Sequence, residues 1–166
     1  MCVVVSACQN GVAGVPTSTS VTGTPPGSST SSVDSSSTPT GGMATVNACS
    51  LLSTSEATSL GLPGAGYKMN AGAKSGCEWD GSSFIVIVGI FTTAGLADVK
   101  VNGGTVSDTQ IGRYPAKQLK EVSGGCMYSL GVTDKSRVDI EVTAVSGGDP
   151  CPESLAVATV VEKKIS

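Results

Sequence analysis

Six cysteines are the residues of this 166-residue chain most able to do chemistry: Cys2, Cys8, Cys49, Cys77, Cys126 and Cys151. A thiol can bind zinc, attack as a thiolate, or pair with another thiol. No two of these form a Cys-x-x-Cys pair, and the chain has no histidine at all. A zinc site is therefore not expected on spacing grounds. The missing imidazole also removes the commonest general base. What remains is pairing. Cys49, Cys77, Cys126 and Cys151, widely spaced in a polar chain, read as two disulfides formed in an oxidising compartment. Neither a metal nor a cofactor is expected.

The other candidates are fewer. Asp134, Asp139 and Glu141 gather near one hairpin. Paired carboxylates can hydrolyse a glycoside, but no partner base is visible here, and the plainer expectation is a solvated face. Ser123-Gly124-Gly125 lacks the setting and the histidine of a serine hydrolase. No catalytic residue is assigned, and a non-enzymatic protein is expected. Arg113-Tyr114, at a turn, are of the types that recognise a carboxylate or a sugar. The plainer reading, a turn residue and its packing neighbour, comes first. Trp79, two positions after Cys77, reads first as an aromatic packed on a disulfide and second as a pocket wall. Trp79, Arg113 and Tyr114 together are the candidate binding surface. The net charge of −3 is mild and the basic residues are scattered, so no nucleic-acid footprint is present.

Val3-Val4-Val5-Ser6-Ala7-Cys8 is a short apolar run, then small residues, then cysteine. This resembles the bacterial lipobox, in which Cys8 takes the lipid and becomes the mature N-terminus. Small residues must precede the cysteine because the subsites of the peptidase are narrow. No charged region precedes the apolar run, and the run is short for a signal peptide. The expectation is that the sequence begins inside an export signal, with residues 1–8 its remnant. Residues 9–44 are dominated by Ser, Thr, Pro and Gly, as in Ser28-Ser29-Thr30-Ser31-Ser32. A stretch with almost no large apolar residue cannot offset its ordering entropy, so it reads as a disordered tether. Residues 45–166, roughly 120, remain for one globular domain. The whole chain has 22 glycines and only 4% aromatic residues, so the core of this domain is thin and cross-links should matter.

Several elements must position the candidates. Ser53-Thr54-Ser55-Glu56 is a capping-box pattern and predicts a helix over 53–60 that Gly61 ends. Tyr67–Asn70, Cys77–Trp79, Phe84–Phe91, Val106–Ile111, Ala116–Val122, Cys126–Val132 and Val138–Ala144 read as strands. Phe84–Phe91 is apolar on both faces and predicts a central strand covered on both sides by helices or loops, or by a second sheet. Val138, Ile140 and Val142 alternate with Asp139, Glu141 and Thr143, a half-exposed strand. A weak helix is expected over Gly95–Val101. A last helix starts near Pro152, with Leu155, Ala156, Val157, Val160 and Val161 as its buried stripe. Short turns join most strands, so the fold class is α+β: a mainly antiparallel sheet with N- and C-terminal helices packed on it and two disulfides. Four cysteines allow three pairings. The favoured one joins Cys77 to Cys126 between strands, and Cys49 to Cys151 between the helix entrances. The second would close a loop of roughly 100 residues, nominally worth about 4–5 kcal/mol.

Cys49-x-Leu51-Leu52-Ser53-x-x-Glu56-Ala57, Leu60-Gly61, Cys77-x-Trp79, Ile111-Gly112-Arg113-Tyr114-Pro115-Ala116, Cys126 with alternating apolar residues, and Asp149-Pro150-Cys151 before a final helix form one ordered set. The set resembles the actinobacterial lipoprotein family catalogued as domain of unknown function 3558, over residues 45–166. The resemblance implies an exported, palmitate-type lipoprotein of the cell envelope, anchored through Cys8 to the outer face of the cell membrane, and a PsbP-like α/β sandwich. It carries no agreed activity and no site residues. The expected role is non-enzymatic binding or scaffolding, with an envelope protein or a lipid or glycan as partner. The alternative is a carrier for a small apolar or lipid ligand held between sheet and helices.

Overall fold

Phe84–Phe91 (β3) is the strand against which both halves of the sheet are laid. In the computed structural model, which describes residues 43–70 and 72–165, it pairs with Ser75–Asp80 (β2) on one side and Ser136–Ala144 (β7) on the other. The expectations for Cys8, the export signal and most of the tether fall outside the described residues. Tyr67–Met69 (β1) lies beyond β2. Gly125–Thr133 (β6), Tyr114–Lys120 (β5) and Thr105–Ile111 (β4) follow beyond β7. The spatial order is β1-β2-β3-β7-β6-β5-β4, and every pair is antiparallel. The chain builds one edge as a meander, crosses to the opposite edge through residues 92–104, and returns as a second meander. The α+β layout expected from the short turns is the fold that forms.

Both helices sit on one face. Thr54–Ser59 (α1) starts as its sequence pattern requires: Ser53 Oγ accepts from the Glu56 amide at 3.4 Å, and Glu56 Oε2 accepts from the Ser53 amide at 2.8 Å. Two orphan donors of the first turn are thereby satisfied. Cys151–Glu162 (α2) begins beside Asp149, whose Oδ1 accepts from the Cys151 amide at 3.0 Å. Beneath the helices lie Val86, Val88 and Ile90 of β3, Val138, Ile140 and Val142 of β7, and Leu130 of β6, all essentially solvent-free. The folded unit starts slightly earlier than residue 45, because Met43 is 6% exposed and belongs to the core.

Two helix details differ from expectation. The buried stripe of α2 is Cys151, Ser154, Val157, Ala158 and Val161, whereas Leu155 is 42% exposed. Cys151 is tied to the sheet, and the Ser154 hydroxyl donates to the Ile140 carbonyl at 3.0 Å. Those two anchors set the rotation of the helix, and Leu155 falls outside the stripe. The weak helix at 95–101 is a single 3₁₀ turn, Leu96–Asp98.

The disulfides are Cys49–Cys77 and Cys126–Cys151, not the pairing favoured above. Cys77 lies on β2 and Cys126 on β6, with β3 and β7 between them. Three strand spacings put them roughly 14 Å apart, and a disulfide needs Cα atoms within about 7 Å. Each sheet cysteine instead bonds the segment packed above it. The 3₁₀ turn Ala48–Leu51 carries Cys49 over β2, and α2 carries Cys151 over β6.

The second sheet face has the loop cover that β3 led one to expect, and that cover is thin. Ile85, Ile87 and Phe91 are only half-buried there. The cover comes from irregular segments, with Ala73 over Gly89 and the crossover at Leu96 against Gly131. No described helix is long and apolar enough to cross a membrane.

Candidate functional site

The cleft with the best-placed polar groups opens where β5 and β6 part. Their register runs from Lys120↔Cys126 to Ala116↔Leu130 and stops there. Two features of the sequence cause the parting. Pro115 has no amide hydrogen to give the next rung. On the other side, β6 carries one extra residue: its register with β7 moves from Gly131↔Arg137 to Thr133↔Ser136, leaving Val132 as a bulge. A bulge bends its strand and re-aims the side chains around it.

The result is a cleft of about 600 Å³ lined by the β4–β5 turn and the start of β5 (Arg113, Tyr114, Pro115), the end of β6 and its turn (Gly131 to Asp134), and the crossover (Leu96, Ala97). This lies within the range of small-ligand sites, about 300–1,000 Å³. Its lining is mostly apolar and includes one cation, Arg113, and one anion, Asp134. Arg113 stacks its guanidinium over the Tyr114 ring at 5.2 Å and donates to the Tyr114 hydroxyl at 3.2 Å. That hydroxyl in turn donates to the Ile165 carbonyl at 2.8 Å. The Arg113 backbone amide reaches Glu162 Oε1 at 3.4 Å, so the end of α2 holds the turn from behind.

The opposite wall is held from below. Arg137 donates through Nε to both Asp139 oxygens at 2.9 and 3.0 Å, and through Nη1 to the Gly95 carbonyl at 3.2 Å. Its guanidinium also lies 4.1 Å above the Phe91 ring. Gly95 rests on the Asp134 backbone so closely that a Cβ has no room there. Leu96 fills the place that a side chain at Gly131 would take, since an added Cβ would stand 2.7 Å from Leu96 Cδ1. Thus a buried ion pair seats the crossover, and the crossover forms one side of the cleft.

The candidates named from sequence separate in the fold. Arg113 and Tyr114 share the cleft, and Asp134, one of the three carboxylates, joins them. Trp79 does not. It is 1% exposed, beside Cys77 in the core, with the Gly66 backbone against its ring. So deeply buried, it presents no face at the surface. Asp139 and Glu141 are not a solvated face either. Asp139 is 8% exposed, and burial pushes its carboxyl above the ordinary range, partly offset by the adjacent Ser129 hydroxyl and by Arg137. Glu141 is half-buried and also raised, first by burial and then by the charges of Glu121 and Asp139. Both lie on the sheet face away from the helices and outside the cleft lining. Arg137, Leu96 and Gly131 were not singled out from the sequence. Only the Arg137-x-Asp139 spacing, which puts opposite charges on one face of a strand, carried a signal.

A crevice between helices and sheet, at Leu60, Leu62, Phe84, Val86, Glu153 and Val157, measures only about 10 Å³. A shallower polar hollow of about 330 Å³ lies beside Lys68 and Lys74. Among the described residues no group of three or more Cys, Asp or Glu is placed to hold a metal ion.

No curated protein and no solved structure matches the chain. The profile of one family, described as "Protein of unknown function (DUF3558)", matches residues 3–164. That span takes in the Ser/Thr/Pro-rich segment and both disulfides as well as the cleft residues, and the chain belongs to this family.

Proposed function

We propose that this chain is an exported cell-envelope protein of non-enzymatic binding type, held at the outer face of the cell membrane by a lipid on Cys8, and that it binds through the Arg113–Asp134 cleft. The observation that carries the reading is the cleft itself: a ligand-sized opening whose mostly apolar lining includes one cation and one anion. Two disulfides support an oxidising compartment. The Ser/Thr/Pro-rich tether would give the domain reach from the membrane. The carrier alternative draws no support from the space between sheet and helices, where a crevice of about 10 Å³ is too small for a lipid tail.

The test is the intact mass of the protein taken from its own host's membrane fraction, with the upstream reading frame restored. Cleavage before Cys8, a diacyl or triacyl adduct, and the loss of the hydrogens of two disulfides are expected. An unprocessed, fully reduced chain in the cytosol would overturn the proposal.

A further inference from the structure

We infer that the cleft takes a short peptide with free ends and apolar side chains, its carboxylate on Arg113 and its ammonium on Asp134. The inference rests on the binding reading above and narrows it to one ligand class.

The chemistry of the walls selects among ligands. The apolar lining, formed by Leu96, Ala97, Pro115 and Val132 with the bare backbone of Gly131, suits apolar side chains. A sugar would want an open aromatic face and a ring of free hydrogen-bonding groups. The Tyr114 face is covered by Arg113, and its hydroxyl is committed to the Ile165 carbonyl. A lipid tail would leave both charges unused. A peptide with free ends uses both. Arg113 offers a planar fork for a carboxylate, and its contact with Tyr114 fixes the direction of that fork. Asp134 lines the same cleft from the β6–β7 turn, on a backbone braced by Gly95.

The experiment is titration of the full chain with leucylleucine, followed by calorimetry and by amide shifts of the cleft residues. N-acetylated and C-amidated leucylleucine serve as the comparison ligands. Each blocked form should bind about five- to tenfold more weakly, the scale of one charge-assisted contact at an accessible site. Arg113→Ala should remove the penalty for amidation and keep that for acetylation. Asp134→Asn should do the reverse. Both side chains line the cleft, and unchanged melting curves would show that the variants fold. Equal binding of the free and doubly blocked dipeptides, or a loss of both penalties in either variant, would overturn the inference. So would the absence of binding by leucylleucine. A chain that fails here yet carries its lipid in the envelope leaves the anchored reading standing; an unlipidated cytosolic chain that binds leucylleucine does the opposite.

Discussion

Glu56 and Lys164, 108 positions apart in the chain, form an ion pair that ties the first turn of α1 to the segment after α2. Glu56 therefore does two jobs. It closes the capping box with Ser53, and it receives the ammonium of a residue from the other end of the fold. These contacts hold its carboxyl at about 2, chiefly through Lys164 and then through the Ser53 hydroxyl and amide.

The sign of the pH dependence follows. A carboxyl lowered from 4.5 to about 2 stabilises the fold above 4.5 and loses that contribution as pH falls towards 2. The stability gap between the natural chain and Glu56→Gln should be constant near neutral pH and close across that window. The side chain is one-third exposed (33%), so the gap should be small and should shrink with salt. Urea unfolding at several pH values measures it; a gap unchanged at pH 2 would refute the pairing.

Each disulfide closes a loop of similar size, with separations of 28 and 25 residues. The chain-entropy model assigns each about 3.5 kcal/mol. Replacing either pair by serine should cost about this much in urea unfolding, against the about 4–5 kcal/mol that a single long closure would have carried. Peptide mapping without reductant should yield the linkages Cys49–Cys77 and Cys126–Cys151. A Cys77–Cys126 peptide would contradict the strand order.

Removing Arg137 should be among the most damaging single changes. Arg137→Met strands the Asp139 carboxylate, at a cost of about 3–5 kcal/mol, while Arg137→Met with Asp139→Leu should recover most of it. Burial already raises the Asp139 carboxyl. In Arg137→Met it should rise further, so the stability lost should diminish as pH falls into the carboxylate range and Asp139 takes a proton. Denaturant unfolding against pH reports both effects. A double variant no better than the single would show that packing, rather than the stranded charge, sets the cost.

Gly104 enters β4 with φ +96°, and a Cβ there would run into the Lys120 carbonyl. Gly104→Ala should cost well over about 1 kcal/mol, because neither the backbone angle nor the opposing strand can yield. Gly124, at φ +90° with open space around it, should tolerate alanine better, losing only its backbone preference. Thermal melts of the two variants should rank in that order.

The chain's own sequence determined what depends on near neighbours. The α1 capping box, the turns at Asp80-Gly81, Ser123-Gly124 and Thr133-Asp134, and the alternation in β6 and β7 formed because each is settled within a few residues. Arg113 and Tyr114 were legible for the same reason: Arg113 sits in a two-residue turn that Gly112 marks, and Tyr114 opens the strand after it. What tertiary structure alone decided depends on strand order. The chain leaves β3 and crosses to the far edge, so β7 rather than β4 becomes the neighbour of β3. That one crossing separates Cys77 from Cys126 by two strands. It also makes β7 central, which buries Asp139 and Arg137 where alternation alone had suggested solvent. It lays Leu96 against Gly131, building a wall of the cleft from residues far apart in the chain. Hydrophobic period assigns a residue to a face of its strand; which segments then cover that face is fixed by the path of the chain.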